Sequence, residues 1–162
     1  MLVAMLGVGL AIAGESYAIA AQRDREQELL FIGAQFRAAL RSYRQAQIRG
    51  GVREYPATLE DLLKDNRFPG TRRHLRRLYR DPMTGTTQWG VVRVAGRIVG
   101  VHSLSERAPL KHAGFDIDDA ELEGADTYAD WIFMTAVAPG APGTQREDEV
   151  VVPGDPATET NR

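Results

Sequence analysis

The first 21 residues, MLVAMLGVGLAIAGESYAIAA, constrain the fold most, because they carry a single side chain that is charged at neutral pH, that of Glu15. At a rise of about 1.5 Å per residue they would span about 31 Å as a helix, close to the ~30 Å hydrocarbon core of a bilayer. Apolar residues surround such a helix on all sides, which lipid favours and water does not. The sequence therefore predicts a retained transmembrane helix over residues 1–21.

A cleaved secretory signal is the alternative interpretation of this segment, with Ala18-Ile19-Ala20 as a small-x-small cleavage site. Against it, the apolar run is longer than the usual core of a signal peptide, and no basic residue precedes the run. Arg23 and Arg25 follow the segment, so charge counting by itself would place the downstream part in the cytoplasm. We expect a basic leader upstream of Met1, which would reverse that count.

The helix is expected to continue beyond the membrane segment, because no proline precedes Pro56 and the first strong breaker is Gly50-Gly51. After a charged collar over residues 22–28, apolar residues recur in steps of three and four at Leu29, Ile32, Phe36, Leu40 and Tyr43. This pattern predicts one helix of roughly 48 residues, whose second half offers one apolar stripe for a domain to pack on.

A small domain is predicted to follow, and it begins with a short helix in which Thr58 is the N-cap and Asp61 reaches back to it. Three runs are typical of β-strands: Gln88–Val94, Arg97–Ser103 and Tyr128–Val137. Only Ala95-Gly96 separates the first two, which indicates a tight hairpin. We therefore predict an α+β fold, with the long helix packed on a three-stranded antiparallel sheet within a domain over residues 22–137. The remainder, 138–162, is rich in Pro, Gly, Thr and acidic residues and is predicted to be disordered.

The motifs of this domain occur in a distinctive order: Tyr55-Pro56-x-Thr58-Leu59-Glu60-Asp61-Leu62, Leu75-Arg76-Arg77-Leu78, Asp81-Pro82-Met83-Thr84-Gly85, Trp89-Gly90, Ile98–Ser103, Pro109-Leu110-Lys111 and Tyr128–Phe133. Together with the long helix, they resemble the type IV pilin-like family, and specifically the major, G-type pseudopilins of type II secretion systems. The resemblance covers about residues 1–137. Members of that family begin with a short basic leader and carry a glutamate near the processing site, for which Glu15 lies too far along the helix.

The resemblance implies a structural subunit that self-associates and assembles with other pilin or pseudopilin subunits into a filament. It would be a single-pass inner-membrane protein with its C-terminal domain in the periplasm, and in a type II secretion system the filament would push folded exoproteins outward. The residues assigned to assembly are Leu2, Leu6, Leu10, Glu15, Arg76 and Arg77. A membrane-anchored periplasmic scaffold or binding module that does not polymerise is the alternative function.

The acidic region 116–126 contains six carboxylates, and the major pseudopilins carry a calcium loop in the corresponding place. Asp116, Asp118 and Asp119 are therefore candidate calcium ligands, since calcium prefers oxygen ligands. The aspartate-glycine motif of the family is absent, however, and so is the spacing of an EF-hand. A solvated acidic loop is the favoured interpretation, and no cofactor is expected.

The basic run 67–80 contains six arginines, which pair well with phosphate. The whole chain has 20 basic and 22 acidic residues and no helix-turn-helix context, so we expect no binding to nucleic acid. We hypothesise instead that Arg76 and Arg77 pair with Asp118 and Asp119 of the next subunit. No enzyme is expected, because the chain has no cysteine and its three histidines lack metal-ligand spacing.

Overall fold

The computed structural model describes the backbone of residues 2–46, 53–135 and 144–147, and the side chains of residues 17–46 and 53–135. The elements are α1 (Leu2–Gln45), α2 (Glu60–Leu63), β1 (Gly90–Val94), β2 (Arg97–His102), β3 (Phe133–Met134) and β4 (Thr144–Glu147). Two 3₁₀ helices, Ile117–Leu122 and Tyr128–Asp130, lie between β2 and β3. The chain thus has the predicted α+β architecture, with one long helix on a small antiparallel sheet.

Helix α1 is continuous over 44 residues, which confirms the prediction of one long N-terminal helix. The predicted apolar stripe is buried along its second half, from Leu29 at 0% exposure to Tyr43 at 5%. This stripe packs across β2 and β3. Within the described residues, no helix is both long enough and apolar enough to cross a membrane. The predicted membrane segment, 1–21, lies largely outside them, since side chains are described only from Tyr17 onward.

The sheet has the strand order β3-β2-β1-β4, and all three pairings are antiparallel. The predicted hairpin between β1 and β2 is confirmed, with Ala95 and Gly96 between the strands. Both residues have positive φ, of 50° and 75°, as a type I′ hairpin turn requires. The register shifts at Val92 and Arg93, where the two strands are not paired one to one.

The predicted third strand, Tyr128–Val137, is wrong in its length. Within the described part of this range, only Phe133–Met134 pairs with β2, and Tyr128–Asp130 forms a 3₁₀ turn. The Asp130 carboxylate causes the turn, because it accepts hydrogen bonds from the backbone N–H and the hydroxyl of Thr127. The turn directs Tyr128 and Trp131 into the core, where both are fully buried.

The three predicted strands form an antiparallel sheet, and a fourth strand extends it. The fourth strand, β4, pairs with the outer side of β1 and supplies partners for backbone groups that an edge strand would leave open. It lies within the range 138–162 that the sequence predicts to be a disordered tail. The other residues of that range lie outside the described part of the chain.

The short helix α2 is a single turn, and its N-cap is Leu59 in place of the predicted Thr58. The Thr58 side chain makes no capping bond. Asp61 does reach back as predicted, since its carboxylate accepts from the backbone N–H groups of Ala57 and Thr58. The carboxylate therefore organises the chain that enters α2 without a side-chain cap.

Aromatic side chains fill the space between α1 and the sheet. The five largest are less than 2% exposed: Trp89, Trp131, Tyr128, Phe36 and Phe133. Phe36 of α1 meets the Trp89 ring edge to face at 5.1 Å, and Tyr128 meets Trp131 in the same way at 5.3 Å. Such pairs add roughly 1 kcal/mol each to the effect of burial. The core therefore connects the helix to the segment that enters β1.

We predict that Gly33→Ala destabilises the protein, although alanine is the better helix former by about 1 kcal/mol. A Cβ at Gly33 would overlap the Phe133 ring, so the helix would have to move away from β3. We expect a loss of about 2 kcal/mol in the free energy of unfolding, the usual cost of overpacking a core. Urea denaturation followed by tryptophan fluorescence measures it.

Gly70→Ala is the matched control, because its Cβ would meet nothing within 4 Å. This control is expected to unfold as the wild type does. Equal stability of the Gly33 variant and the wild type would contradict the close packing of α1 on β3.

Candidate functional site

Helix α1 leaves the domain between Ala20 and Gln22. Tyr17 is 79% exposed and Ile19 is 42% exposed, so the helix surface here is apolar and uncovered. Among the described side chains, Gln22 is the first on α1 to bond the domain, where its Nε2 donates to the Ala108 carbonyl and the Tyr128 hydroxyl. Among the described side chains of α1, the domain therefore covers those from about Gln22 onward.

Glu26 fixes the loop after β2 to α1 at this point of exit. Its side chain is buried, and Oε1 accepts from the backbone N–H groups of Leu110 and Lys111 and from the Tyr128 hydroxyl at 2.9 Å. Burial raises the pKa of Tyr128 to about 12, and the Glu26 carboxylate adds to that effect although the Gln22 hydrogen bond opposes it. Tyr128 is therefore a neutral donor to Glu26 at physiological pH.

Sequence reasoning missed this role, because Glu26 was assigned to the charged collar of residues 22–28. A signal was present. Glu26 follows Gln22 by four residues and precedes Leu29 by three, so all three lie on one face of the helix. A carboxylate on the face that becomes the buried stripe indicates a polar contact inside the domain.

An ion pair joins α1 to the acidic region. Arg37 is buried, and its Nη2 lies 2.8 Å from Asp119 Oδ1 while its Nε donates to the Met134 carbonyl at 3.1 Å. The two side chains are only 10% and 13% exposed. Arg37 thereby holds together α1, the 3₁₀ helix 117–122 and the edge strand β3.

This contact bears on the hypotheses for the acidic region. Asp119 is bound by Arg37 of its own chain, whereas Asp116 and Asp118 are exposed. In the part of the chain that the structure describes, no three acidic or histidine side chains converge as a metal site would require. The hypothesised pairing of Arg76 and Arg77 with Asp118 and Asp119 of a second copy therefore loses one of its two carboxylates.

The basic run 67–80 divides into an inward and an outward set. Arg67 turns inward, where it binds Asp65 through Nε and Nη2 at 2.8 and 2.7 Å and lies 3.6 Å above the Tyr43 ring. His74 completes the network, with Nε2 3.1 Å from Asp65 and Nδ1 2.8 Å from the Ser42 hydroxyl. Because Tyr43 and Ser42 belong to the end of α1, this network attaches α2 and the basic run to the helix.

Burial and hydrogen bonding within this network shift the pKa values of Asp65 and His74. Burial raises the pKa of Asp65, but hydrogen bonds from the Arg67 side chain and backbone and from His74 outweigh it, and the pKa falls to about 2. Burial lowers the pKa of His74, and its hydrogen bond to Asp65 opposes that effect only in part. The network thus favours a charged carboxylate and a neutral imidazole.

The outward set contains the predicted assembly residues Arg76 and Arg77, which are exposed. Arg77 lies over the Tyr79 ring at 5.3 Å, and Arg76 forms no ion pair with another described residue. The other predicted assembly residues, Leu2, Leu6, Leu10 and Glu15, have side chains outside the described part of the chain.

The motif Asp81-Pro82-Met83-Thr84-Gly85 has a structural role. Asp81 is fully buried, and its carboxylate accepts from the Met83 backbone N–H, the Thr84 hydroxyl and the Ser103 hydroxyl, the last at 2.7 Å. The motif therefore forms a closed turn that is tied to the end of β2.

Residues of two further motifs, Trp89 and Tyr55, also stabilise the fold. Trp89 donates its indole N–H to the Tyr79 carbonyl at 2.9 Å. The Tyr55 hydroxyl accepts from Thr135 and from Arg44. These contacts join separate segments of the chain within the domain.

No family model matches this chain, and neither a curated protein nor a solved structure is significantly similar to it.

We predict that Asp119→Ala destabilises the protein by about 2 kcal/mol, because it leaves the buried Arg37 guanidinium without its carboxylate. Asp118→Ala, in the same 3₁₀ helix and exposed, is the matched control and is expected to change stability by less than about 0.5 kcal/mol. Urea denaturation of both variants measures the difference. Equal losses would show that the pair does not stabilise the domain.

We predict that stability falls on acidification below about pH 6.5, the ordinary pKa of histidine. The folded state holds His74 neutral, so the unfolded chain binds more protons in this window and is favoured as the pH drops, by at most about 1.4 kcal/mol per pH unit. Asp65 adds a second loss between about pH 4 and pH 2, since its contribution is complete only above the unfolded pKa. Urea midpoints at a series of pH values measure both.

His74→Gln is expected to remove the first of these two losses and to leave the second. His112→Gln, which changes an exposed histidine, is the control and should keep the wild-type dependence on pH. A His74 variant with an unchanged dependence near pH 6 would contradict the assignment.

Proposed function

We propose that this chain is a pseudopilin-like structural subunit, which assembles through its N-terminal helix into a periplasmic filament of a type II secretion or type IV pilus-like system. One observation carries the proposal. Helix α1 is continuous from Leu2, and among its described side chains those of residues 17–20 are exposed and the first to bond the domain is Gln22. We infer that the N-terminal part of α1, about 20 residues and about 30 Å long, forms a rod that extends beyond the domain.

The sequence of this rod is apolar apart from Glu15. Each Leu, Val, Ile or Met side chain left in water costs about 1.5–3 kcal/mol relative to burial, so the rod favours either lipid or other protein. Its small residues, among them Ala4, Gly7 and Ala11, would let neighbouring helices approach closely. Both properties suit a helix that is stored in a membrane and then buried among its own copies.

The attachment of the domain supports the same function. Hydrogen bonds join α1 to the rest of the domain at three levels along the helix. They involve the side chains of Glu26, Arg37 and Arg67. Because these contacts are buried and directional, the domain and the rod would move as one body. In a filament with open helical symmetry, the rods would form the core and the domains the outer shell.

The proposed function also implies where each part of the chain lies in the cell. The rod would cross the inner membrane once and the domain would lie in the periplasm. Assembly would exchange helix–lipid contacts for helix–helix contacts, and the growing filament would push folded proteins outward. The last step rests on the resemblance to pseudopilins alone.

Cysteine crosslinking within the rod tests the proposal. The chain has no cysteine, so Leu6→Cys and Leu10→Cys each introduce a unique thiol. We expect oxidation in intact membranes to give a ladder of multimers when both substitutions are combined, because each rod would contact two or more others. Gel electrophoresis without reductant reads the result.

Ile117→Cys combined with Asp118→Cys is the matched control. Both residues are exposed on the domain, Ile117 at 93%, so this pair reports random collisions. Monomer alone from the rod cysteines would contradict the filament and would favour the non-polymerising scaffold. A ladder no stronger than that of the control would contradict the filament as well.

A further inference from the structure

The outward arginines border a groove that the proposed filament does not explain. It has a volume of about 630 Å³ and lies beside α2. Its cations are Lys64, Arg73, Arg76 and Arg77, all exposed, and between them lie the half-buried side chains of Leu63 and Leu78. The groove is therefore basic at its rim and apolar at its floor.

The charge of this groove is not neutralised by described residues. None of its described lining residues is acidic. Lys64, Arg73 and Arg76 form no ion pair with another described side chain, and the neighbouring carboxylate of Asp65 is taken by Arg67 and His74. Like charges so close together repel one another, so the groove favours an anionic occupant that also carries apolar side chains.

One segment of the chain itself has this composition. Residues 147–152 read Glu-Asp-Glu-Val-Val-Val, with Asp155 and Glu159 beyond them. Three carboxylates in a row match the basic rim, and three valines match the leucine floor. The region 148–162 lies outside the described residues, but the strand that leads into it is described.

That strand runs toward the segment that precedes β1. Glu147 of β4 pairs with Val91 of β1, and β4 runs antiparallel to β1, so the chain continues toward Trp89. The Trp89 indole donates to the Tyr79 carbonyl, and Tyr79 directly follows Leu78 of the groove. Five extended residues reach up to about 17 Å, which is the range that residues 148–152 can span from the end of β4.

Other anionic occupants fit less well. The groove lies at the C-terminal end of α1, where His74 bonds Ser42, and this is about 30 Å along the helix from the point of exit at Gln22. Lipid headgroups at the base of the rod would be too distant. The acidic region of a second copy has its Asp119 engaged with Arg37.

We propose that residues 148–152 dock in the basic groove of their own chain, with Asp148 and Glu149 against Arg76 and Arg77 and the valines against Leu63 and Leu78. Docking would bury the apolar floor and neutralise the rim. It would also hold β4 on the outer edge of β1. Without β4, the backbone N–H and C=O groups on that edge of β1 would be open to pairing with other strands. The proposal concerns the single chain and does not depend on filament formation.

Intramolecular crosslinking of the full chain in detergent tests it. Thr71 lines the groove, is exposed and carries no charge, so Thr71→Cys leaves all four cations in place. Combined with Val151→Cys, it should form a bond within one chain at least about fivefold faster than the control pair, because docking raises the local concentration of the thiols. The control combines Val151→Cys with Ile117→Cys, which lies beside β3 at the opposite edge of the sheet.

Charge reversal separates docking from simple proximity. Arg76→Glu with Arg77→Glu should slow the Thr71–Val151 crosslink to the rate of the control pair, and adding Asp148→Lys with Glu149→Lys should restore it. Salt at 0.5 M or more, where the Debye length is about 4 Å, should slow the Thr71–Val151 crosslink in the chain that keeps its native charges. Equal rates for the groove and control pairs, no restoration by the combined reversal, or bonds only between chains would each overturn the proposal.

Discussion

The apolar stripe of α1 is the contact on which the rest of the structure depends. Four short strands form one layer, and one layer needs a second to bury its apolar face. α2 is a single turn and cannot supply that layer, so α1 does, through Leu29 to Tyr43. Phe36 reaches the Trp89 ring from this stripe, and Gly33 allows the Phe133 ring to lie against the helix. The sheet is therefore placed by the helix.

Buried polar side chains determine where along α1 the domain sits. An apolar stripe by itself tolerates a shift of one helical turn, about 5.4 Å, because the pattern repeats. Glu26 and Arg37 do not tolerate it, since each bonds particular backbone groups, at Leu110 and at Met134. A displaced helix would leave both charges buried without partners, at a cost of several kcal/mol. In the proposed filament, this would give every copy a rod of the same length.

The motifs on which the resemblance to pseudopilins rests act within the fold. Asp81 organises its turn and bonds Ser103, Trp89 bonds the Tyr79 carbonyl, and Tyr55 bonds Thr135. These three side chains therefore stabilise the domain. The filament proposal depends on the rod at the N-terminal part of α1, and the docking proposal depends on the basic groove beside α2. One would act between copies and the other within a single chain.

The sequence by itself determined the elements whose interactions are local. The long helix follows from its 3.6-residue period, and the β1–β2 hairpin follows from alternating residues around Ala95-Gly96.

What only the tertiary structure decided is which distant groups meet. Arg37 and Asp119 are 82 residues apart, and nothing near Asp119 distinguishes it from the exposed Asp118. The sequence also does not indicate that β4 pairs with β1. Nor does it indicate that Arg67 of the basic run lies inside the domain while Arg76 is exposed. Periodicity depends on neighbours along the chain, whereas the partner of a buried charge depends on the path of the whole chain in space.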